Sequence, residues 1–88
     1  MKLSDTVKMM NSTDYKERFK AEYYQLKTRI CGLENMLVKW DNDNLGFVPT
    51  CPRSTYVLQL KAMYDYKTIL EMRAVMENIE LDTTLESV

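Results

Sequence analysis

The stretch that decides the fold runs from Tyr15 to Trp40, YKERFKAEYYQLKTRICGLENMLVKW. Apolar residues recur in it at Phe19, Tyr23, Leu26, Ile30, Leu33, Leu37 and Trp40, alternately four and three apart. That period keeps one side of an α-helix apolar for three heptads, so the stretch predicts a long helix with a seam for a second helix. Such a seam is unstable in water, and the remaining chain has to cover it.

Upstream, Asn11, Ser12, Thr13 and Asp14 form a cluster of capping residues. With Ser12 or Thr13 as N-cap, the helix is expected to start near Asp14 and to reach Asp41. Residues 1–13, with Ser4 as a cap and Val7 and Met10 at helical spacing, fit a short helix or a frayed arm equally well. Within the long helix, Gly32 costs about 1 kcal/mol relative to alanine. Alternatively, its missing side chain lets a neighbouring helix come close.

Downstream, Asp41-Asn42-Asp43-Asn44 stops the helix, because short polar side chains compete for the backbone. Leu45 to Cys51 is then an apolar connection, with Phe47 and Val48 expected to fold back over the open end of a hairpin. Pro52 suits the first turn of a second helix, capped by Thr50 or Cys51 and running to about Asn78. The apolar residues of that helix, from Tyr56, Val57 and Leu58 to Val75 and Met76, surround most of its circumference. A helix apolar on more than one side needs more than one neighbour. A hairpin supplies one, so the chain is expected to be a homo-oligomer, most simply a dimer closing a four-helix bundle. The expected organisation is an arm over 1–13, an antiparallel helical hairpin over 14–78 and a mobile or docking tail over 79–88, all-α throughout.

Bulk properties narrow the function. Eighty-eight residues make one domain, and a chain this short buries only about 60–65% of its unfolded surface. Two cysteines, Cys31 and Cys51, with no histidine argue against a structural zinc site, and no cofactor is expected. Twelve basic against 13 acidic residues give no general attraction to nucleic acid or to an anionic membrane. No apolar run approaches the roughly 18 residues of a membrane span, and Met1 to Asn11 lacks a signal-peptide core. The reading is a cytosolic protein with reduced thiols. Cys51 at a helix start has no nucleophile-activating base in the sequence to work with, so no catalytic residue is assigned.

Polar residues also keep heptad spacing: Glu22 with Arg29, and Gln59 with Tyr66 and Arg73. In an antiparallel hairpin whose facing residue numbers sum to about 94 or 95, Glu22 faces Arg73, Arg29 faces Tyr66 and Met36 faces Gln59. Arg18 lies one turn before Glu22 and reaches the same carboxylate. This ladder either fixes helix register or lines a polar pocket in which arginines meet an anion and Tyr66 stacks on a ring. The ligand candidates are Arg18, Arg29, Arg53 and Arg73 for phosphate and Tyr66, Tyr56 and Trp40 for rings. Tyr23, Tyr24 and Trp40 also read as core aromatics, and Tyr24, Cys31 and Val38 form a second stripe suited to an oligomer contact.

The run Glu17-Arg18-Phe19-x-x-Glu22-Tyr23-x-x-Leu26-x-x-Arg29, followed by Gln59-x-x-Ala62-Met63-x-x-Tyr66-x-x-Ile69-Leu70-x-x-Arg73, carries a resemblance over about residues 15 to 81. It resembles a family of short helical proteins of tailed bacteriophages related to a crAss-like phage gene product. That family in turn looks like the one that includes the helical anti-CBASS sponges, oligomers that sequester cyclic-nucleotide signals of bacterial immunity. The resemblance implies a phage accessory protein in the cytoplasm of the infected bacterium, binding a cyclic nucleotide or ADP-ribose-type signal stoichiometrically. The other class is a protein–protein inhibitor or adaptor of a host or phage protein, with no small-molecule site. A sponge needs an arginine- and tyrosine-lined site repeated by symmetry, whereas an inhibitor needs an exposed patch.

Overall fold

A computed structural model describes residues 1–82, and among them every regular element is helical. A 3₁₀ turn, Leu3–Thr6, runs into the short helix α1, Val7–Met10; then follow α2, Tyr15–Asp41, and α3, Arg53–Met76. At about 1.5 Å per residue, the 27 residues of α2 span roughly 40 Å and account for the 43 Å long axis. The radius of gyration is 14.8 Å, against about 12 Å for a compact domain of this length. The hairpin is therefore long and thin.

Each helix begins and ends for local reasons. Asp14 caps α2 by accepting the Lys16 amide at 3.0 Å, while Ser12 Oγ accepts the Asp14 amide at 3.1 Å. At the far end Asp43 takes φ 57° and Asn44 N–H returns to the Lys39 carbonyl at 2.8 Å. The same closure ends α3: Asn78 takes φ 56° and Ile79 N–H reaches the Ala74 carbonyl at 2.8 Å. Asparagine and aspartate tolerate this left-handed turn better than other side chains with a Cβ. The expected stop near Asn78 therefore falls two residues early, at Met76. Pro52 is itself the extended N-cap of α3, with no side chain capping it, so neither Thr50 nor Cys51 has the expected role.

The seam is buried as expected at Phe19, Tyr23, Leu26, Ile30 and Leu37, with Leu33 and Trp40 half-buried. Leu70 and Ala74 of α3 close over it. Two further segments complete the cover. The N-terminal segment docks on α2, placing Thr6 and Ala21 at 0% exposure. The chain after α3 turns back, burying Ile79 and setting the Asp82 amide 3.0 Å from the Tyr24 hydroxyl. Tyr24 is thus covered by its own tail, which removes it from the stripe expected to make an oligomer contact. Leu85 and the rest of the expected tail lie outside the described residues. The frayed-arm alternative for residues 1–13 gives way to a docked one, because Thr6 Oγ1 donates to the Leu3 carbonyl at 2.7 Å and accepts from Gln25 Nε2 at 2.9 Å. Thr6→Val keeps the shape but removes the oxygen that accepts from Gln25, whose amide keeps its contact to the Met10 sulfur, and is expected to cost about 1 kcal/mol in urea unfolding. A loss under about 0.3 kcal/mol would show that this contact does not hold the arm.

The loop departs from expectation. Phe47 and Val48 do not fold over the hairpin end; they are 56% and 89% exposed, while Leu45 and Pro49 turn inward. The left-handed turn at Asp43 sets the direction in which the chain leaves α2. The end is closed instead by Trp40 against Tyr56, edge-on with ring centroids 6.0 Å apart.

Candidate functional site

Four polar contacts tie α2 to α3 and its C-terminal cap. At the loop end, Arg53 is held bidentately by Asp41 at 3.0 and 2.9 Å. One third of the way along, the Tyr64 hydroxyl donates to Glu34. Next, Tyr23 donates to Glu71 at 2.6 Å, and Lys67 lies 4.0 Å from the same carboxylate. At the open end, Tyr15 donates to Glu77 at 2.7 Å and accepts from Arg73 at 2.8 Å. Arg73 also pairs with Glu77 at 3.1 Å and stacks over the Phe19 ring, 5.0 Å from its centroid.

These contacts set the local titration behaviour. Burial first, and then the hydrogen bond to Glu71, raise the Tyr23 phenol well above its ordinary value. The hydrogen bonds to Glu77 and Glu34 raise Tyr15 and Tyr64, respectively. Glu77 is held below the usual carboxylate range by the Tyr15 hydrogen bond and then by Arg73. No group of three or more metal-ligating side chains occurs among the described residues.

The antiparallel register is close to the expected one, since Asp41 meets Arg53, Trp40 meets Tyr56 and Tyr23 meets Glu71. The rungs differ. Within the chain Arg73 takes Tyr15 and Glu77 in place of Glu22, and Glu22, Arg29, Gln59 and Tyr66 lie exposed. Arg18 donates to the Ser12 carbonyl at 2.8 Å in place of Glu22. The physical reason is the rotation of α3: it brings Glu71 and Tyr64 onto α2, on the side where Tyr23 and Glu34 stand. Tyr15 lies one heptad before Glu22 on the same stripe, and Arg73 and Glu77 are spaced i, i+4. Extending the heptad by one step is the signal that finds Tyr15.

Of the ligand candidates, Trp40, Tyr56 and Arg53 come together at the loop end, where Asp41 neutralises the arginine. A shallow groove of about 340 Å³ between α2 and the loop is lined by Gly32, Met36, Lys39, Leu45 and Phe47, among others, and by none of these three. A Cβ at Gly32 would meet open space, so within one chain the glycine brings no helix close. Arg73 is consumed at the opposite end. Arg29 and Tyr66 remain on one flank, on the stripes that begin with Tyr15 on α2 and Arg73 on α3.

The fold and its exposed flank define a helical-hairpin protein built around interhelical polar rungs. A family model described as Sequestin matches residues 13–76, which is 64 of the 88 residues and spans α2, the loop and α3. The chain belongs to the Sequestin family. No curated protein and no solved structure matches it. No helix among the described residues is long and apolar enough to cross a membrane.

Proposed function

We propose that the protein is a phage accessory protein that acts by stoichiometric binding, as a homo-oligomer that sequesters an anionic immune signal of the cyclic-nucleotide or ADP-ribose class in the infected bacterium's cytoplasm. The observation that carries this is the family match over the whole hairpin, in a family whose name describes sequestration. The shape of the hairpin supports a shared site. One hairpin is only 23 by 22 Å across, too thin to enclose a nucleotide, so the site lies between protomers. Arg29 is exposed with no partner among the described residues, and its planar fork suits a phosphate. Tyr66, 42% exposed on the same flank, supplies a ring face. Arg18, Arg53, Tyr56 and Trp40 are secondary contacts, because each already has an intrachain partner.

Sequestration needs no turnover, so a bound signal is released chemically intact. The test is calorimetry with cyclic di- and trinucleotides and cyclic ADP-ribose isomers, followed by heat denaturation and chromatography of the supernatant. Binding tighter than about 10 µM, roughly −6.8 kcal/mol, with recovery of unaltered ligand supports the reading. Weaker binding across the panel favours the protein-inhibitor class, and a cleaved product makes the protein an enzyme.

A further inference from the structure

The outward side of α3 carries a second seam that the hairpin does not use. Leu58, Ala62, Asp65, Ile69, Met72 and Met76 follow the same four-three spacing as the seam of α2, and all are exposed. Leu58 is 68%, Ile69 54%, Met72 57% and Met76 70% exposed, with Val75 beside them at 79%. Of these five large apolar side chains, more than half open to water on one side of one helix, four cluster in the last two turns of α3, and Leu58 continues the seam beyond Ala62 and Asp65. The only charge in the seam is Asp65, and its neighbour Lys61 stands on the strip's edge 3.4 Å away. Their side chains are 69% and 75% exposed.

We infer that this strip is where two copies of the chain meet, with their α3 helices antiparallel about a two-fold axis passing between Ala62 and Asp65. The charges select this arrangement. A parallel pair sets Asp65 on Asp65 and Lys61 on Lys61, whereas the antiparallel register brings Lys61 beside the partner's Asp65 twice over. In that register Leu58 packs on the partner's Ile69, and the two α3 helices overlap along nearly their full length. Met72, Val75 and Met76 then reach the partner's loop end, where Phe47 and Val48 are exposed apolar residues. The strip's rim is formed by Tyr66 and Gln59, one from each copy, next to the Arg29 flank. The inference rests on the oligomeric half of the proposed function and is independent of any ligand.

Sedimentation equilibrium of the full chain without nucleotide, at about 100 µM, is the test. The expected mass is twice 10.4 kDa or an even multiple of it. Leu58→Glu and Ile69→Glu each return 10.4 kDa with unchanged helical circular dichroism, since both side chains are exposed in the monomer. Asp65→Lys, which leaves only positive charges in both pairings, weakens association at least tenfold, and Lys61→Asp with Asp65→Lys restores it. A native chain that sediments as a monomer overturns the inference, as do glutamate variants that keep the native mass. A double charge swap that fails to restore association overturns the antiparallel register. Nucleotide binding is read separately by calorimetry, so loss of a ligand and loss of the interface are distinguishable.

Discussion

Tyr23→Ala is expected to lower stability by about 3–5 kcal/mol, the range for removing a large buried aromatic. A domain of 88 residues has roughly 4–13 kcal/mol to lose, so the variant stands near the edge of folding. Tyr23 is at 0% exposure, meets Tyr24 edge-on at 5.8 Å and belongs to the core cluster shared by α2 and α3. Tyr23→Phe separates packing from the hydroxyl. It removes only the bond to Glu71, which keeps Lys67 and partial access to water, and should cost about 1 kcal/mol. Because burial holds the folded phenol above the ordinary tyrosine value of about 10, its stabilisation is complete below pH 10 and is lost as pH rises beyond it. Urea titrations at fixed protein concentration measure all three effects. An alanine variant within about 1 kcal/mol of the native chain would show that this core is not the source of stability.

Arg29→Ala is expected to weaken nucleotide binding by about 10- to 150-fold, the loss of one charge-assisted phosphate contact worth roughly 1.5–3 kcal/mol. It should leave unfolding within about 0.5 kcal/mol of the native chain, because the side chain is exposed and unpaired among the described residues. Arg73→Ala should behave in the opposite way. Its guanidinium joins Tyr15, Glu77 and the Phe19 ring, so its loss is read in stability first. If Arg29→Ala binds as the native chain does, the flank between the Tyr15 and Arg73 stripes is not the site. Attention then moves to Trp40, Tyr56 and the groove beside Gly32.

The two long helices were legible because helical periodicity is local: Phe19, Tyr23, Leu26 and Ile30 fall on one side of α2 whatever the rest of the chain does. The antiparallel register was legible for a related reason, since the short Asp41–Arg53 connection leaves few alignments. The surplus on α3 was also visible, and the exposed strip from Leu58 to Met76 is that surplus in space. The rungs were not legible. Heptad spacing says that Glu22 and Arg29 share a stripe, but not which flank of the seam α3 leans over. That depends on how α3 is rotated about its axis, which places Tyr23 on Glu71 and Glu34 on Tyr64. Nor does spacing show that a left-handed residue at Asn78 folds Ile79 and Asp82 back over Tyr24, or that Thr6 docks the N-terminus on Gln25. Sequence by itself determined the elements and their order, because these follow from repeats a few residues long. Tertiary structure alone decided which polar groups pair and which stay exposed, because that choice turns on the packing of segments far apart in the chain.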